Sequence, residues 1–133
     1  MLASNRPDQT AEAVEAPTIL IAEDEFLIRL FVSDHLRDVG FQVVEASNAD
    51  EAIALLQAGA HIDLVFTDVR MPGHHDGMGL LDYVRRTRPD VPVVVTSGHL
   101  EPKLAYDGGA RAFVSKPCDP EQLTDTLRTA LAL

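Results

Sequence analysis

From Thr18 onward the chain alternates short apolar runs with segments whose apolar residues recur every three or four positions. TILIA (18–22) reads as a buried strand, after which Ile28, Phe31, Val32, His35, Leu36 and Val39 repeat at helical spacing until Gly40 stops them. QVVEA (42–46) is a second, shorter strand. Asn48 with Glu51 three positions on forms a capping-box signature, and Ala49, Ala52, Ile53 and Leu56 make one apolar helix face that runs to Gly59. IDLVFT (62–67) predicts the third strand, MGLLDYVRRT (78–87) a third helix closed by Pro89, and VPVVVT (91–96) the fourth strand. Residues 100–107 make a short helix weakened by Pro102 and the Gly108-Gly109 pair, and RAFVS (111–115) is the fifth strand. Asp119, Pro120 and Gln122 then supply an N-cap, a first-turn proline and a capping glutamine for a last helix faced by Leu123, Leu127, Ala130 and Leu131.

Five nearly all-apolar strands alternating with five helices predict an α/β fold: a doubly wound parallel sheet covered by helices on both faces. In such sheets ligands collect beyond the carboxyl ends of the strands. Those ends are polar here: Glu23, Asp24 and Glu25 after the first strand, Asp68 after the third, Thr96 and Ser97 after the fourth, Ser115 and Lys116 after the fifth.

Composition narrows the picture. At 133 residues, 46% of them apolar, there is material for one core, so one domain is expected over 18–133. Residues 1–17, poor in large apolar side chains, are expected to form a disordered tail. A formal charge of −10 argues against direct nucleic-acid binding. The apolar runs fall far short of the ~20 residues that span a bilayer, and the start carries no signal-peptide stretch, so no membrane association is expected. Cys118, the only cysteine, permits no internal disulfide, which suits a reducing, cytoplasmic setting.

Singly, each polar strand end is ordinary, since acids after strands usually cap helices or face solvent. Converging, they require an explanation. Carboxylates brought to ~4 Å repel by roughly 1 to 4 kcal/mol per pair, and a cation must offset that. Mg²⁺ suits oxygen ligands and commonly takes one or two carboxylates together with phosphate oxygens. Lys116 adds a point charge suited to phosphate, and Thr96 or Ser97 a hydroxyl donor.

Together, the acidic pair in IAEDE, Asp68 in TDVRMPG, Thr96 in VVVTSGH, and Phe113 and Lys116 in GARAFVSKP resemble the receiver domain of two-component response regulators, from about Thr18 to the C-terminus. The resemblance implies a flavodoxin-like sheet of order 2-1-3-4-5. It implies Asp68 as phosphoacceptor, charged by a histidine kinase or histidine phosphotransferase. Glu23, Asp24, Asp68 and the Arg70 backbone carbonyl would hold Mg²⁺, and Lys116 would neutralise the transferring group. It further implies a cis Lys116-Pro117 bond and a switch in which Thr96 turns to the phosphate, Phe113 rotates inward, and the helix 4–strand 5–helix 5 face changes for a downstream partner. Such a protein is a signalling switch rather than an enzyme, catalysing only its own Mg²⁺-dependent phosphorylation and dephosphorylation.

Two features depart from the family pattern. The first acid is Glu23 rather than Asp, one methylene longer. MPGHHDG carries two residues, His74 and His75, where one is usual, predicting a bulged loop; a His-His-Asp metal site there lacks a fourth ligand. The resemblance implies that Arg70 and Gly98 occupy positions that tune phosphoryl lifetime in the family. His35 is expected at the core boundary, His99 in a loop, and Cys118 without a base to activate it. Two other classes fail on single residues. A haloacid-dehalogenase-type phosphatase needs a second Asp where Arg70 stands, and a flavin module needs a neutral phosphate loop where IAEDEF is acidic. The end of the chain just after the last helix favours a stand-alone receiver over a fragment of a longer regulator.

Overall fold

A computed structural model describes residues 16–132. The elements run β1 (Thr18–Ala22), α1 (Phe26–Asp38), β2 (Gln42–Ala46), α2 (Ala49–Gln57), β3 (Leu64–Asp68), α3 (Gly77–Thr87), β4 (Val93–Ser97), α4 (Pro102–Asp107), β5 (Ala112–Ser115) and α5 (Pro120–Ala130). All strand pairs are parallel, in the order β2-β1-β3-β4-β5, which is the expected 2-1-3-4-5 topology. The expected disordered tail falls mostly outside the described residues. Its last two members, Ala16 and Pro17, accept hydrogen bonds from Gln42 on β2.

β1, β3 and β4 are buried along their whole length, as strands covered on both faces must be. Each face has its own core. On one side Leu20, Val65, Leu80, Leu81 and Val84 pack beneath α2 and α3; on the other Ile19, Leu36, Leu64, Leu123 and Leu127 pack beneath α1 and α5. Each such fully buried side chain contributes about 1.5–3 kcal/mol. Local chemistry sets the helix starts. Asn48 Oδ1 accepts the Glu51 N–H at 2.7 Å, and Glu51 answers by binding the Ser47 backbone N–H rather than that of Asn48. Asp119 caps α5 at the Gln122 N–H, as predicted.

Two boundaries move in ways that matter. β3 runs through Asp68 instead of stopping at Thr67, and Asp68 pairs in register with Thr96. α3 begins at Gly77, because Asp76 caps it at the Gly79 N–H. α1 differs more. Ile28 and Phe31, expected on its packed face, are 37% and 60% exposed, and the buried stripe is Val32, Ser33 and Leu36. The physical reason is position: α1 starts at the carboxyl edge of the sheet, so its first turns lie beyond the strands that could cover them.

Candidate functional site

The carboxyl edge gathers the predicted residues. Thr67 and Asp68 end β3, and Asp68 is 8% exposed. One carboxylate oxygen accepts the Val69 N–H at 2.7 Å and the other the Lys116 Nζ at 2.7 Å. Lys116 follows β5 and enters a cis peptide with Pro117, as expected. Its Nζ also donates to Glu23 Oε1 at 3.2 Å, so a single ammonium bridges two acids from different strands. Glu23, just past β1, is itself buried, while Asp24 is exposed beside it. Carboxylate oxygens of Glu23, Asp24 and Asp68 lie within 4.8 Å of one another.

The electrostatics follow from that packing. Burial pushes the Glu23 carboxyl above its ordinary value; the Glu25 N–H pulls it back, the Asp68 charge adds to the rise, and Lys116 offsets part of it. Burial draws the Lys116 ammonium down, but the hydrogen bond to Asp68 and the charges of Glu23 and Asp68 outweigh it and leave the group above its ordinary value. Hence Lys116 is the built-in counter-ion of the site. A donor set of three carboxylates meets the preference of Mg²⁺ for hard oxygen ligands. The longer Glu23 is drawn back toward Lys116 and the Glu25 N–H, while Asp24 is left facing solvent.

A charged, buried Glu23 costs stability, which leads to a first expected result. Glu23→Gln keeps an acceptor for Lys116 and removes a buried charge, so the metal-free protein should gain stability at pH 7, read as a rise in Tm. Because the folded-state pKa is raised, the wild-type penalty is present above that value and vanishes below the unfolded one. Thermal melts should therefore show the gain shrinking to nothing as pH falls below about 4. A gain that persisted in acid would point to another cause.

The remaining predicted residues fall at the edges of this cluster. Thr96 is buried, and its hydroxyl donates to the Val114 carbonyl at 2.8 Å, across to β5, rather than to Asp68. Phe113, the neighbour of Val114 on β5, is half-buried against the core under α3 and α4. Ser97 is occupied locally, its Oγ accepting the His99 and Leu100 N–H groups, and His99 is exposed. Arg70 is exposed and, with Asp24, Met71, Pro72 and Asp76, lines a shallow cleft beside the carboxylates. His35 sits at the α1–α5 boundary, Nε2 2.9 Å from Thr124 Oγ1. Burial pushes the Cys118 thiol up, with only partial relief from Lys116, so it stays a thiol.

Three features escaped the sequence reading. Gly77 packs so closely on Asp68 that an added Cβ would collide with the Asp68 carbonyl oxygen, and its N–H closes the loop onto Val69 at 2.8 Å. A cavity of about 430 Å³ opens at Asp68 and Lys116 and runs between α1 and α5, walled by Phe31, Val32, Pro117 and Leu123. The third is the hold of Asp50 on His74 and His75, which links α2 to the loop after β3. The Asn-Asp start of α2 offered no signal of it, because its partners lie 24 and 25 residues away.

Comparison with known proteins places this geometry. The family description "response regulator receiver domain" matches residues 19–128. The chain is 38% identical over 120 residues to the nitrogen assimilation regulatory protein NtrX of Azorhizobium caulinodans, covering 87% of this chain and 26% of that protein. It is 34% identical over 130 residues to the transcriptional regulatory protein PdtaR of Mycobacterium tuberculosis, covering 95% of this chain and 62% of that one. The chain thus spans about a quarter of the first relative and three fifths of the second. Among solved structures it resembles the receiver domain of NtrX from Brucella abortus, with TM-score 0.79, 36% identity, and coverage of 86% of this chain and 98% of that one. A response regulator receiver protein from Sinorhizobium medicae gives TM-score 0.82 at 34% identity, covering 90% and 98%.

Proposed function

Since the chain belongs to the response regulator receiver domain family, we propose that Asp68 is its phosphoacceptor and that Glu23, Asp24, Asp68 and the Arg70 carbonyl are its metal ligands. Receiver domains are signalling switches that take phosphoryl groups from histidine kinases, and they generally bind Mg²⁺ at an acidic cluster. The single observation carrying the reading is Lys116 Nζ at 2.7 Å from the buried Asp68 carboxylate, with Glu23 and Asp24 alongside.

In the transfer step an Asp68 carboxylate oxygen forms a bond to phosphorus while the bond from phosphorus to the donor breaks. The electron pair leaves with the donor: the imidazole nitrogen of a phosphohistidine, or the carboxylate of an acyl phosphate. Lys116, already beside the attacking carboxylate, is placed to neutralise charge on the phosphoryl oxygens as the group is transferred, so little reorganisation is needed. Bound Mg²⁺ supplies further charge neutralisation for the phosphoryl oxygens. Return to the resting state is attack of water on the same phosphorus at the same site, releasing Asp68. Incubation with Mg²⁺ and acetyl phosphate should add one phosphate by mass spectrometry, and chelation of the metal should prevent it. Equal labelling with and without metal would contradict the metal role.

The switch belongs to the same reading. Thr96 can donate to an aspartyl phosphate only by releasing the Val114 carbonyl, and Val114 adjoins Phe113. Loss of that bond frees the β5 backbone beside the half-buried aromatic, which supports a change on the α4–β5–α5 face and a downstream protein partner there. The compact unit is proposed to be 18–133, and its setting cytoplasmic. Among the described residues no helix is long and apolar enough to cross a membrane.

A protein donor must bring its phosphohistidine within bonding distance of Asp68, so its surface must cover the rim of the site. That rim is the start of α1, where Phe26, Leu27, Ile28, Leu30 and Phe31 are 37–74% exposed. It is the apolar surface that a histidine-bearing donor protein would bury. Leu27→Asp, at an exposed position outside the cavity that opens at Asp68, is expected to slow transfer from such a protein donor about tenfold or more while leaving acetyl phosphate labelling unchanged. Equal loss with both donors would place the effect in the site itself.

A further inference from the structure

The loop between β3 and α3 is held by a residue of another element. Asp50, in the first turn of α2, accepts the His74 N–H at 2.8 Å on one oxygen and meets His75 Nδ1 at 2.7 Å on the other. The His75 hydrogen bond first, and the His74 N–H second, hold the Asp50 carboxyl below its ordinary value, so it is a carboxylate at neutral pH. Gly73, at φ +117°, lies so near that an added Cβ would collide with the same carboxylate. At the far end the loop is fastened by the Gly77 N–H on Val69 and by Asp76 capping α3. Arg70, Met71 and Pro72, which with Asp24 wall the cleft beside the carboxylates, lie between Val69 and the stretch that Asp50 holds.

We propose that Asp50 is a positioning residue for the metal site: by fastening residues 73–75 to α2, it fixes where the backbone carbonyl of Arg70 stands relative to Asp24 and Asp68. The inference rests on the magnesium reading above. Its physical basis is chain entropy. Unbraced, residues 69–76 between β3 and α3 have many conformations, and any that metal binding must freeze subtract from the affinity. A carboxylate brace removes them beforehand. Asp50 suits the task because its helix is anchored in the core by Ala49, Ala52, Ile53 and Leu56, all buried.

The test is a calorimetric Mg²⁺ titration of the wild type, Asp50→Ala, Asp50→Asn and Asp24→Ala. Asp50→Ala should weaken binding about tenfold, at the low end of what outer partners of metal ligands contribute. Asp50→Asn should restore affinity close to wild type, because the amide still accepts the His74 N–H and can donate to His75 Nδ1. Charge attraction from Asp50 would instead make both variants equally weak, and that result overturns positioning, as does unchanged affinity in Asp50→Ala. Wild-type affinity no better than that of Asp24→Ala overturns the magnesium reading and this inference with it. A metal-free readout separates the two: amide hydrogen exchange over residues 70–74 should speed up in Asp50→Ala and not in Asp50→Asn, and unchanged exchange overturns the inference alone.

Discussion

Asp68→Asn protein incubated with Mg²⁺ and acetyl phosphate should gain no mass, while the wild type gains one phosphate. The substitution changes one atom's chemistry and little else. An amide lacks the anionic oxygen that bonds to phosphorus, yet its carbonyl oxygen can still accept the Val69 N–H that Asp68 binds at 2.7 Å. Lys116 keeps Glu23 at 3.2 Å, so its charge is not stranded. The fold should therefore persist, with circular dichroism and cooperative melting like the wild type. Loss of labelling in a folded variant assigns the phosphoryl group to Asp68; undiminished labelling would remove Asp68 from the reaction and send the search to another side chain.

Lys116→Met is expected to affect both chemistry and stability. With the ammonium gone, Asp68 and Glu23 lose the ion-pair partner they share among the described residues, and Arg29 is committed to Glu45 and to the Glu23 carbonyl. Breaking a fully buried ion pair costs about 3–5 kcal/mol, but the Lys116 side chain is 27% exposed, so solvent screening reduces the expected loss to roughly 1–2 kcal/mol at pH 7. The sign with pH is fixed by the partners. Lys116 has a raised pKa, so its own titration removes the contribution only in strong alkali, and toward acid the contribution is limited by protonation of its carboxylate partners. The deficit of the variant should then shrink as acid neutralises the carboxylates, and saturating Mg²⁺ should raise its Tm more than that of the wild type. Phosphoryl transfer from acetyl phosphate should fall by about 10² or more at any Mg²⁺ concentration, because the metal does not replace the donor lost at the Asp68 oxygen. A melt difference independent of both pH and Mg²⁺ would contradict the counter-ion role.

The legibility of this molecule varies with the range of the interaction concerned. Asn48, Asp119 and Pro120 announce their helices because a cap is settled within four residues. The strands are legible as apolar runs, although the run of β3 stops one residue short of Asp68, since apolar patterning alone does not say whether a terminal acid still pairs in the ladder. α1 misleads for the opposite reason. Periodicity identifies the helix but not how far it overhangs the sheet, so it assigns Phe31 to a core that the side chain does not reach.

The site shows the same division. Residue type and order along the chain are enough to pick out Glu23, Asp24, Asp68, Thr96 and Lys116, because parallel strands deliver all their carboxyl ends to one edge. Which of them touch is decided by the tertiary structure. Lys116 reaches both acids across 48 and 93 residues of sequence, Thr96 turns away to β5, and Asp50 grips a loop on the other side of a strand. By itself the sequence determined the alternating elements, the covering of the sheet on both faces and the chemical character of the edge, all consequences of local backbone preference and apolar patterning. Only the packed fold decided the partners, because a hydrogen bond depends on distances of a few tenths of an ångström between groups that the chain brings together from far apart.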